Sequence, residues 1–236
     1  AFLRPLDLKD LPGVGPKTLE RLHRYNLRRI GDVQIMTPES LSAALGPAGQ
    51  SLFERAAGLD SGAVEEALYP KSISRETTFD QDSADRRLME AMLSYLAERA
   101  ANKLRSISMR AKTVSVKLRY SDFSTYHMAK SLKEHSAHDS DFRALALEIF
   151  DRLFTRRQRV RLVGVALSNL TPEAARQSSL FDEMRYLKKD RLYRGIDRVR
   201  ERFGFSALFT GRAIDLLTTL EQNDHGFVLR TPSLTQ

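Results

Sequence analysis

The sequence predicts a multidomain protein of α and α+β class, in which a small all-helical domain precedes an α+β domain and a helical C-terminal extension. Two observations support this prediction. Up to about residue 67, apolar residues follow a helical period punctuated by Gly and Pro; from residue 73 onward, strand-like and helical stretches alternate in the order βαββαβ. A chain of 236 residues is long enough to bury a core in each domain.

Residues 1–67 are predicted to form short helices. The first helix places Leu19 and Leu22 on one face. Thr37 followed by Pro38 is typical of an N-cap and the first helical position, and it begins a later helix. Helices of this length, separated by Gly and Pro, favour a compact all-helical domain.

Residues 68–75 are interpreted as a tether, and residues 73–170 as the α+β domain. Residues 112–120 alternate between apolar and polar side chains, as expected for a strand with one buried face. The element order predicts a four-stranded antiparallel sheet with both helices on one face and the other face open. The predicted strands are 73–79, 112–120, 122–132 and 160–170, and the predicted helices are 84–105 and 142–153.

The last part of the chain is predicted to hold a charged helix over about 184–203, a second helical patch at 211–220 and a disordered tail. No role for residues 183–236 follows from their sequence. Residues spaced 4, 3 and 4 apart predict an apolar seam along the charged helix. That seam consists of Leu192, Ile196, Val199 and Phe203.

The net charge is +8 and lies mostly in the middle of the chain. Residues 71–170 hold 19 Lys or Arg against 12 Asp or Glu, a net charge of +7. An excess of this kind indicates an anionic polymer as partner, and a surface charged only for solubility is the alternative.

Composition also bears on location and on the classes of site. No apolar run approaches the roughly 18 residues of a membrane-spanning helix, so no membrane partner is expected. The chain has no Cys, which excludes disulfides and thiolate metal sites. We expect a cytoplasmic, monomeric protein, and the patterned start without Met suggests a piece of a longer one.

The stretch Leu-Pro-Gly-Val-Gly-Pro-Lys-Thr at residues 11–18 predicts a phosphate-binding loop. Two glycines before a helix let backbone amides point outward at the helix N-terminus, which suits a phosphate. The stretch resembles the helix-hairpin-helix DNA-binding motif, although Gly-Val-Gly alone is equally typical of a plain turn between helices. The predicted DNA-binding residues of this loop are Gly13, Val14, Gly15, Lys17 and Thr18.

The open face of the predicted sheet is a second candidate for DNA binding. A sheet surface with cations and polar side chains suits phosphate contacts, and an ordinary solvated face is the alternative. The cations predicted on or beside its strands are Lys71, Arg75, Lys112, Lys117, Arg119 and Lys130.

The peptide Gln-Ser-Ser-Leu-Phe at residues 177–181 lies in a polar stretch. It is suited to dock Gln177, Leu180 and Phe181 as anchors in a pocket of a partner protein. The alternative is an apolar pair that covers the core of its own domain.

The sequence shows no recognisable catalytic or metal-binding pattern. There is no GxxxxGK[ST] phosphate loop. Asp182 and Glu183 follow the peptide rather than a strand, and His135 and His138 lie in a polar stretch without a convincing third ligand. We therefore predict no catalytic residue, no metal site and no cofactor within this chain.

In combination, these motifs resemble the C-terminal half of Y-family translesion DNA polymerases of the bacterial polymerase IV type. The resemblance covers roughly residues 6–182. The segments that carry it are residues 11–18, 30–33, 71–79, 117–124, 160–170 and 177–182.

The resemblance implies a role for each part. Residues 1–67 would be the thumb, which holds the minor groove of primer–template duplex DNA, and residues 73–170 the little finger, which lies in its major groove. Residues 177–181 would bind the replication sliding clamp, with Ser178 where the family usually has Leu. The two Mg ions and the dNTP of the family bind in a palm domain N-terminal to the thumb, so this chain is not expected to polymerise DNA alone.

Three readings stay open at this point. The chain is a portion of an active error-prone polymerase, a portion of a catalytically inactive relative that recruits other polymerases, or a stand-alone helix-hairpin-helix DNA-binding protein. Acidic metal ligands in a palm would distinguish the first from the second. Sequence-specific binding would favour the third.

Overall fold

The computed structural model describes residues 2–59, 69–173, 183–208, 210–223 and 226–229. The chain divides into two compact units, Ala1–Glu66 and Ala67–Gln236, so the boundary lies one residue from the predicted end of the helical domain. Among the helices of the described ranges, none combines the length and apolarity needed to cross a membrane.

The described part of the first unit, residues 2–59, contains four α-helices. Its core is formed by Leu and Ile side chains such as Leu22, Ile30 and Leu41, which are almost fully buried. The predicted N-cap is present, since the hydroxyl of Thr37 accepts the amide of Ser40 at 3.2 Å. The helices are α1 (Pro16–Arg24), α2 (Ile30–Gln34), α3 (Pro38–Leu45) and α4 (Ala48–Ala57).

The start of α2 depends on one carboxylate. Asp32 accepts the backbone amides of Arg29 and Arg28, both at 2.8 Å. These hydrogen bonds, chiefly the one from Arg29, lower the pKa of Asp32. A carboxylate in the first turn also interacts favourably with the helix dipole, which fixes where the chain turns into α2.

The second unit is built on a four-stranded antiparallel sheet in the order β1-β4-β2-β3, which confirms the predicted α+β fold. Helix α5 packs on β1, β4 and β2, and helix α6 packs on β3 and β2. Both helices therefore cover one face of the sheet. The elements are β1 (Ser72–Ser83), α5 (Arg86–Ser106), β2 (Met109–Tyr120), β3 (Thr125–Ser136), α6 (Asp139–Leu153) and β4 (Val160–Pro172).

The core of this unit lies between the sheet and the two helices. Along β2, Val114, Val116 and Leu118 are fully buried and alternate with partly exposed residues, as the sequence pattern predicts. Residues 72–75, assigned to the tether from the sequence, belong to β1. The strand begins there because Ile73 is buried in the same core.

The C-terminal extension packs against the second unit. It comprises α7 (Glu183–Phe203), 3-10 segments at Phe205–Ala207 and Gly211–Thr218, and a short hairpin of β5 (Gln222–Asn223) and β6 (Gly226–Phe227). Phe205, Leu216 and Phe227 are buried in the core beside Tyr95 of α5. The amide of Phe227 donates to the Tyr95 hydroxyl at 2.8 Å.

The predicted disordered tail is therefore wrong for the described residues up to 229, and residues 230–236 lie outside the described ranges. The error has a physical reason. Few apolar residues mark this stretch, but Phe227 is anchored by its ring and its amide together, and neither contact has a sequence periodicity.

The predicted apolar seam of α7 is exposed at both ends and only partly buried at Ile196 and Val199. Leu192 is 59% exposed and Phe203 is 63% exposed, whereas Tyr193 and Arg200 are buried. The helix docks through polar and aromatic groups: the ring of His138 stacks on that of Tyr193, with centroids 5.3 Å apart. Apolar spacing could not reveal a docking face of this composition.

A buried network of ion pairs joins α7 to the rest of the unit. Glu98 is fully buried and lies 2.7 Å from the guanidinium of Arg200. Arg200 also contacts Asp139 at 3.4 Å, and Arg105 joins Asp139 and Asp197, each at 2.6 Å. Charges removed from water are tolerated only when they are paired, so every member of the network depends on the others.

Replacing Arg200 by Ala should destabilise the second unit by about 3–5 kcal/mol, because the buried Glu98 would lose its closest cation and keep only the more distant Arg143, at 3.9 Å. Denaturant unfolding followed by far-UV circular dichroism measures the change. The exposed Arg191 of the same helix is the matched control, and its change to Ala should cost no more than about 0.5 kcal/mol. Equal effects of the two substitutions would contradict the role given to the network.

Candidate nucleic-acid interface

The loop before α1 has the geometry of a tight, outward-facing turn. Gly13 adopts φ +87°, in the left-handed region that favours glycine. A Cβ at this position would overlap the guanidinium of Arg55. That guanidinium donates to the carbonyl of Pro12 at 3.0 Å, so α4 braces the loop from the side.

The N-terminus of α1 presents backbone amides that donate no hydrogen bond to another backbone group. Gly15 is the N-cap and Pro16 is the first helical residue. Within the described first unit, the amides of Gly15, Lys17 and Thr18 donate no backbone hydrogen bond, and the first helical bond runs from Leu19 to Gly15 at 2.9 Å. Free amides at the positive end of a helix dipole form a ready site for an anion such as phosphate.

The structure assigns Val14 a different role from its neighbours. Its amide donates to the carbonyl of Leu11 at 3.1 Å, and its half-buried side chain packs on the core of the unit. Val14 therefore anchors the loop. Arg55, which the sequence analysis missed, lies beside the loop with an exposed guanidinium. No sequence signal connects the two, because 43 residues separate Arg55 from Pro12.

The second candidate surface is the face of the sheet not covered by α5 and α6, called here the open face. Residues directly paired across an antiparallel ladder point to the same side, so the register defines this face. Most of its side chains are small or carry hydroxyls, which makes it flat. It comprises Ser72, Ser74, Glu76 and Thr78 of β1; Leu162, Gly164, Ala166 and Ser168 of β4; Thr113, Ser115, Lys117 and Arg119 of β2; and Thr125, His127, Ala129 and Ser131 of β3.

An ion pair crosses the middle of the open face. Lys117 of β2 and Glu76 of β1 are both paired with Gly164 of β4, and their side chains meet over it at 2.7 Å. A Cβ on Gly164 would lie 2.9 Å from the Cβ of Glu76, closer than normal packing allows. Glycine at this position therefore permits the contact, which neutralises much of the charge of Lys117.

Arg119 and His127 complete the basic and polar groups of the open face. The Nε of Arg119 donates to the hydroxyl of Thr125 at 3.0 Å, which orients the guanidinium along the sheet. His127 is exposed and directly opposite Lys117. His127 was missed by the sequence analysis because no strand alternation marks β3 clearly.

Two of the predicted cations lie on the opposite side of the sheet, which corrects their placement. Arg75 is paired with Val165, and Lys130 with Val114, so both point toward the helix layer. Burial lowers the pKa of Arg75, and the nearby Arg99 adds to this effect. The period-2 pattern of β1 and β3 is too weak in the sequence to set which face a given cation occupies.

An ion pair with α6 accounts for the position of Lys130. The Nζ of Lys130 donates to both carboxylate oxygens of Glu148 on α6, at 2.6 and 2.7 Å. Lys71 lies immediately before β1 and is exposed. Lys112 lies in β2 beside an irregularity in the pairing with β3, between Ala111 and Thr113.

A cluster of arginines and aromatic rings lies around the turn between β2 and β3. Arg156 lies 4.4 Å from the centre of the Tyr126 ring, and Arg161 lies 4.9 Å from that of Phe123. Phe123 is 65% exposed and adopts φ +63°, an uncommon conformation for a bulky residue. None of these residues was predicted to bind DNA, although Arg156 and Arg161 belong to a visibly basic stretch of sequence.

The predicted anchors Gln177, Leu180 and Phe181 lie outside the described residues. In the described part of the chain, no group of three His, Asp or Glu side chains is placed to hold a metal ion.

Comparison with known proteins agrees with the two-unit organisation. A family model described as the impB/mucB/samB family C-terminal domain matches residues 70–180. A second, described as the DNA polymerase-iota thumb domain, matches residues 9–60. The chain belongs to the Y-family DNA polymerases. It corresponds to the C-terminal portion of that family, with the first unit as the thumb.

Similar proteins cover most of the chain. A DNA polymerase IV of Dehalococcoides mccartyi (strain CBDB1) is 32% identical over 217 residues, which are 92% of this chain and 55% of that protein. A DNA polymerase IV of Methanoculleus marisnigri is 35% identical over 179 residues, covering 76% of this chain and 49% of that protein. The chain thus spans about half the length of the curated relatives it matches.

A solved structure shares the fold. A Y-family DNA polymerase chimera matches with a TM-score of 0.58 and 24% sequence identity, covering 72% of this chain and 49% of that one. At this identity the match supports the architecture of the Y-family portion and does not assign residues.

Changing Glu76 to Gln should tighten duplex DNA binding several-fold, because it removes a negative charge from the open face and frees Lys117. The plot of log affinity against log salt should become steeper by about 0.9, the value of one added phosphate contact. Fluorescence anisotropy of a labelled duplex measures both quantities.

The matched control is Glu148→Gln. It frees Lys130 from a similar ion pair, but on the helix-facing side of the sheet, so affinity and slope should stay unchanged. If both substitutions, or neither, steepened the slope, the open face would not be the surface that contacts DNA.

Proposed function

We propose that this chain is the DNA-binding and sliding-clamp-tethering portion of an error-prone translesion DNA polymerase. The observation that carries the proposal is the set of free amides at the start of α1, within a domain that matches a Y-family thumb. Backbone amides bind phosphate without reading bases. A polymerase needs this property, because it must hold any template sequence.

The thumb would bind the minor-groove side of a primer–template duplex through one backbone phosphate. Gly15, Lys17 and Thr18 would donate their amides, and the exposed Lys17 side chain would add a charge. Arg55 would contribute from α4, since its guanidinium already lies against the loop.

The open face of the little finger would lie along the major groove of the same duplex. Its Ser, Thr, Ala and Gly side chains allow a phosphate backbone to approach closely, and Lys117 and Arg119 supply charge. The support is the flatness of this surface and the family match over residues 70–180.

Residues 177–181 would bind the replication sliding clamp and keep the polymerase on DNA. Nucleotidyl transfer itself would belong to a palm domain with two Mg ions and dNTP, and this chain would hold the DNA for that step. We further propose a cytoplasmic protein that acts as a monomer.

The proposal is tested by binding of the chain to primer–template duplexes of scrambled sequence across a salt series. We expect the same affinity for every sequence and a log–log slope of several units, about 0.9 for each phosphate contacted. Changing Gly13 to Ala should weaken binding about tenfold, because the turn would be strained and the amides displaced.

Gly46→Ala is the matched control. Gly46 also has a positive φ, +71°, but its surroundings are open and it is the C-cap of α3 rather than part of the loop. Both substitutions should destabilise the thumb by about 1–2 kcal/mol, and only Gly13→Ala should weaken DNA binding. Affinity that depends strongly on duplex sequence would instead favour a sequence-specific DNA-binding protein.

For the clamp, Gln177→Ala and Phe181→Ala should each weaken binding at least about tenfold, since both remove anchors. Ser178→Leu should tighten it, because it restores the residue usual in the family. Surface plasmon resonance with a bacterial sliding clamp measures these affinities. Unchanged binding in both Ala variants would exclude this peptide as the tether.

A further inference from the structure

Helix α7 carries a row of exposed cations on the side directed away from the domain. At 100° per residue these positions fall within an arc of about 80°, and Gly195 lies in the middle of the same arc. The buried Tyr193 and Arg200 lie on the opposite side of the helix. The row, called here the outer stripe, consists of Lys188, Arg191, Arg198 and Arg202.

Three other cations of α7 are paired with carboxylates. Lys189 lies 3.2 Å from Asp141, Arg194 lies 2.8 Å from Asp190, and Arg200 is held in the buried network. In contrast, no member of the outer stripe forms an ion pair within 4 Å among the described residues. Within the described residues, the positive charge of the stripe is therefore not neutralised by a close ion pair.

The spacing of the stripe costs helix stability. Lys188 and Arg191 are three residues apart and Arg198 and Arg202 four apart, so like charges are neighbours on the helix surface. The helix dipole favours cations only in the last turn, which accounts for Arg202 but not for Lys188, Arg191 and Arg198. An anionic ligand along the whole stripe would offset the repulsion at both ends.

Exposed apolar side chains flank the stripe. Leu192 and Phe203 are 59% and 63% exposed and lie on one side of it, and Arg202 lies 5.2 Å from the ring of Phe203. The stripe extends for about 21 Å, at 1.5 Å per residue. Cations in a line beside an exposed aromatic ring are the elements that bind single-stranded nucleic acid, in which bases stack and phosphates follow the groove.

We infer that the outer stripe of α7 binds the phosphate backbone of single-stranded nucleic acid, with Phe203 as a stacking surface for a base. This surface is separate from the open face, because α7 docks on α5 and the start of α6, which cover the other side of the sheet. The inference does not depend on duplex binding by the thumb or the little finger.

Single-stranded nucleic acid is favoured over two other occupants. In a duplex the bases are stacked inside, so Leu192 and Phe203 would have no base face to contact. An acidic protein surface would also satisfy the cations. However, Gly195 interrupts the stripe with an open position against which nothing packs, which suits a continuous backbone better than discrete carboxylates.

The test uses the full chain and a labelled oligothymidylate of about 20 nucleotides. Changing all four stripe residues to Gln should weaken binding at least about tenfold at low salt and reduce the log–log slope by about 2–3 units, at roughly 0.7 for each lost contact. Binding to a blunt duplex should change no more than about twofold. The midpoint temperature of thermal unfolding should be unchanged or slightly raised, since like charges have been removed.

A charge-matched variant distinguishes binding at a local site from a general effect of the net charge. It changes to Gln four cations elsewhere in the second unit, namely Arg87, Lys103, Lys133 and Arg152. This variant should keep the oligothymidylate affinity of the unaltered chain. An equal loss in both variants would overturn the proposal, as would failure of the unaltered chain to bind the oligothymidylate at low salt.

Phe203→Ala supplies a second measurement that leaves the charge unchanged. It should weaken oligothymidylate binding roughly tenfold and leave duplex binding unaltered. Because Phe203 is exposed, the fold should persist. Duplex binding that persists unchanged after Gly13→Ala would count against the proposed function and not against the stripe. Equal binding of oligothymidylate by Phe203→Ala and the unaltered chain would exclude the stacking role.

Discussion

The second unit depends on the need to pair Glu98. This carboxylate is fully buried in α5, and a buried charge without a partner would cost several kcal/mol. Its hydrogen-bond partners come from the extension: the guanidinium of Arg200 lies at 2.7 Å and the hydroxyl of Thr210 at 2.6 Å, whereas Arg143 of α6 is more distant, at 3.9 Å. The residues after β4 are consequently part of the folded unit. The same pairing determines which face of α7 is turned toward α5. Which of its side chains face solvent follows from this pairing.

In the same arrangement, the described helices of the second unit cover only one face of the sheet. The extension adds to the layer of α5 and α6, since its buried groups all contact that side. On the open face, Gly164 allows Glu76 to reach Lys117, so the surface is less positive than its lysines and arginines suggest. A flat surface with weak net charge permits close approach of a phosphate backbone and favours no single sequence.

Sequence reasoning predicted the parts of the structure that have a period or a local cap. The alternation of Val114 and Val116 fixed the face of β2, and Thr37 caps its helix as its spacing predicts. It misplaced Lys130, whose position depends on an ion pair with Glu148 across 18 residues. It also gave no docking face for α7, because that face is formed by an ion network and stacked rings. Apolar periodicity detects burial driven by hydrophobic residues and cannot detect burial driven by charge pairing.

The candidate surfaces use different physical means to bind the same chemical group. At the start of α1, neutral amides and a helix dipole act on phosphate, and they need no cation to do so. On the open face, Lys117 is partly neutralised before any ligand arrives. On α7, Lys188 and Arg191 have no such compensation within the described residues, and like-charge repulsion is present in the free protein. An anion gains most where it relieves an existing repulsion, which is why the outer stripe is a binding surface in its own right rather than a solvated helix face.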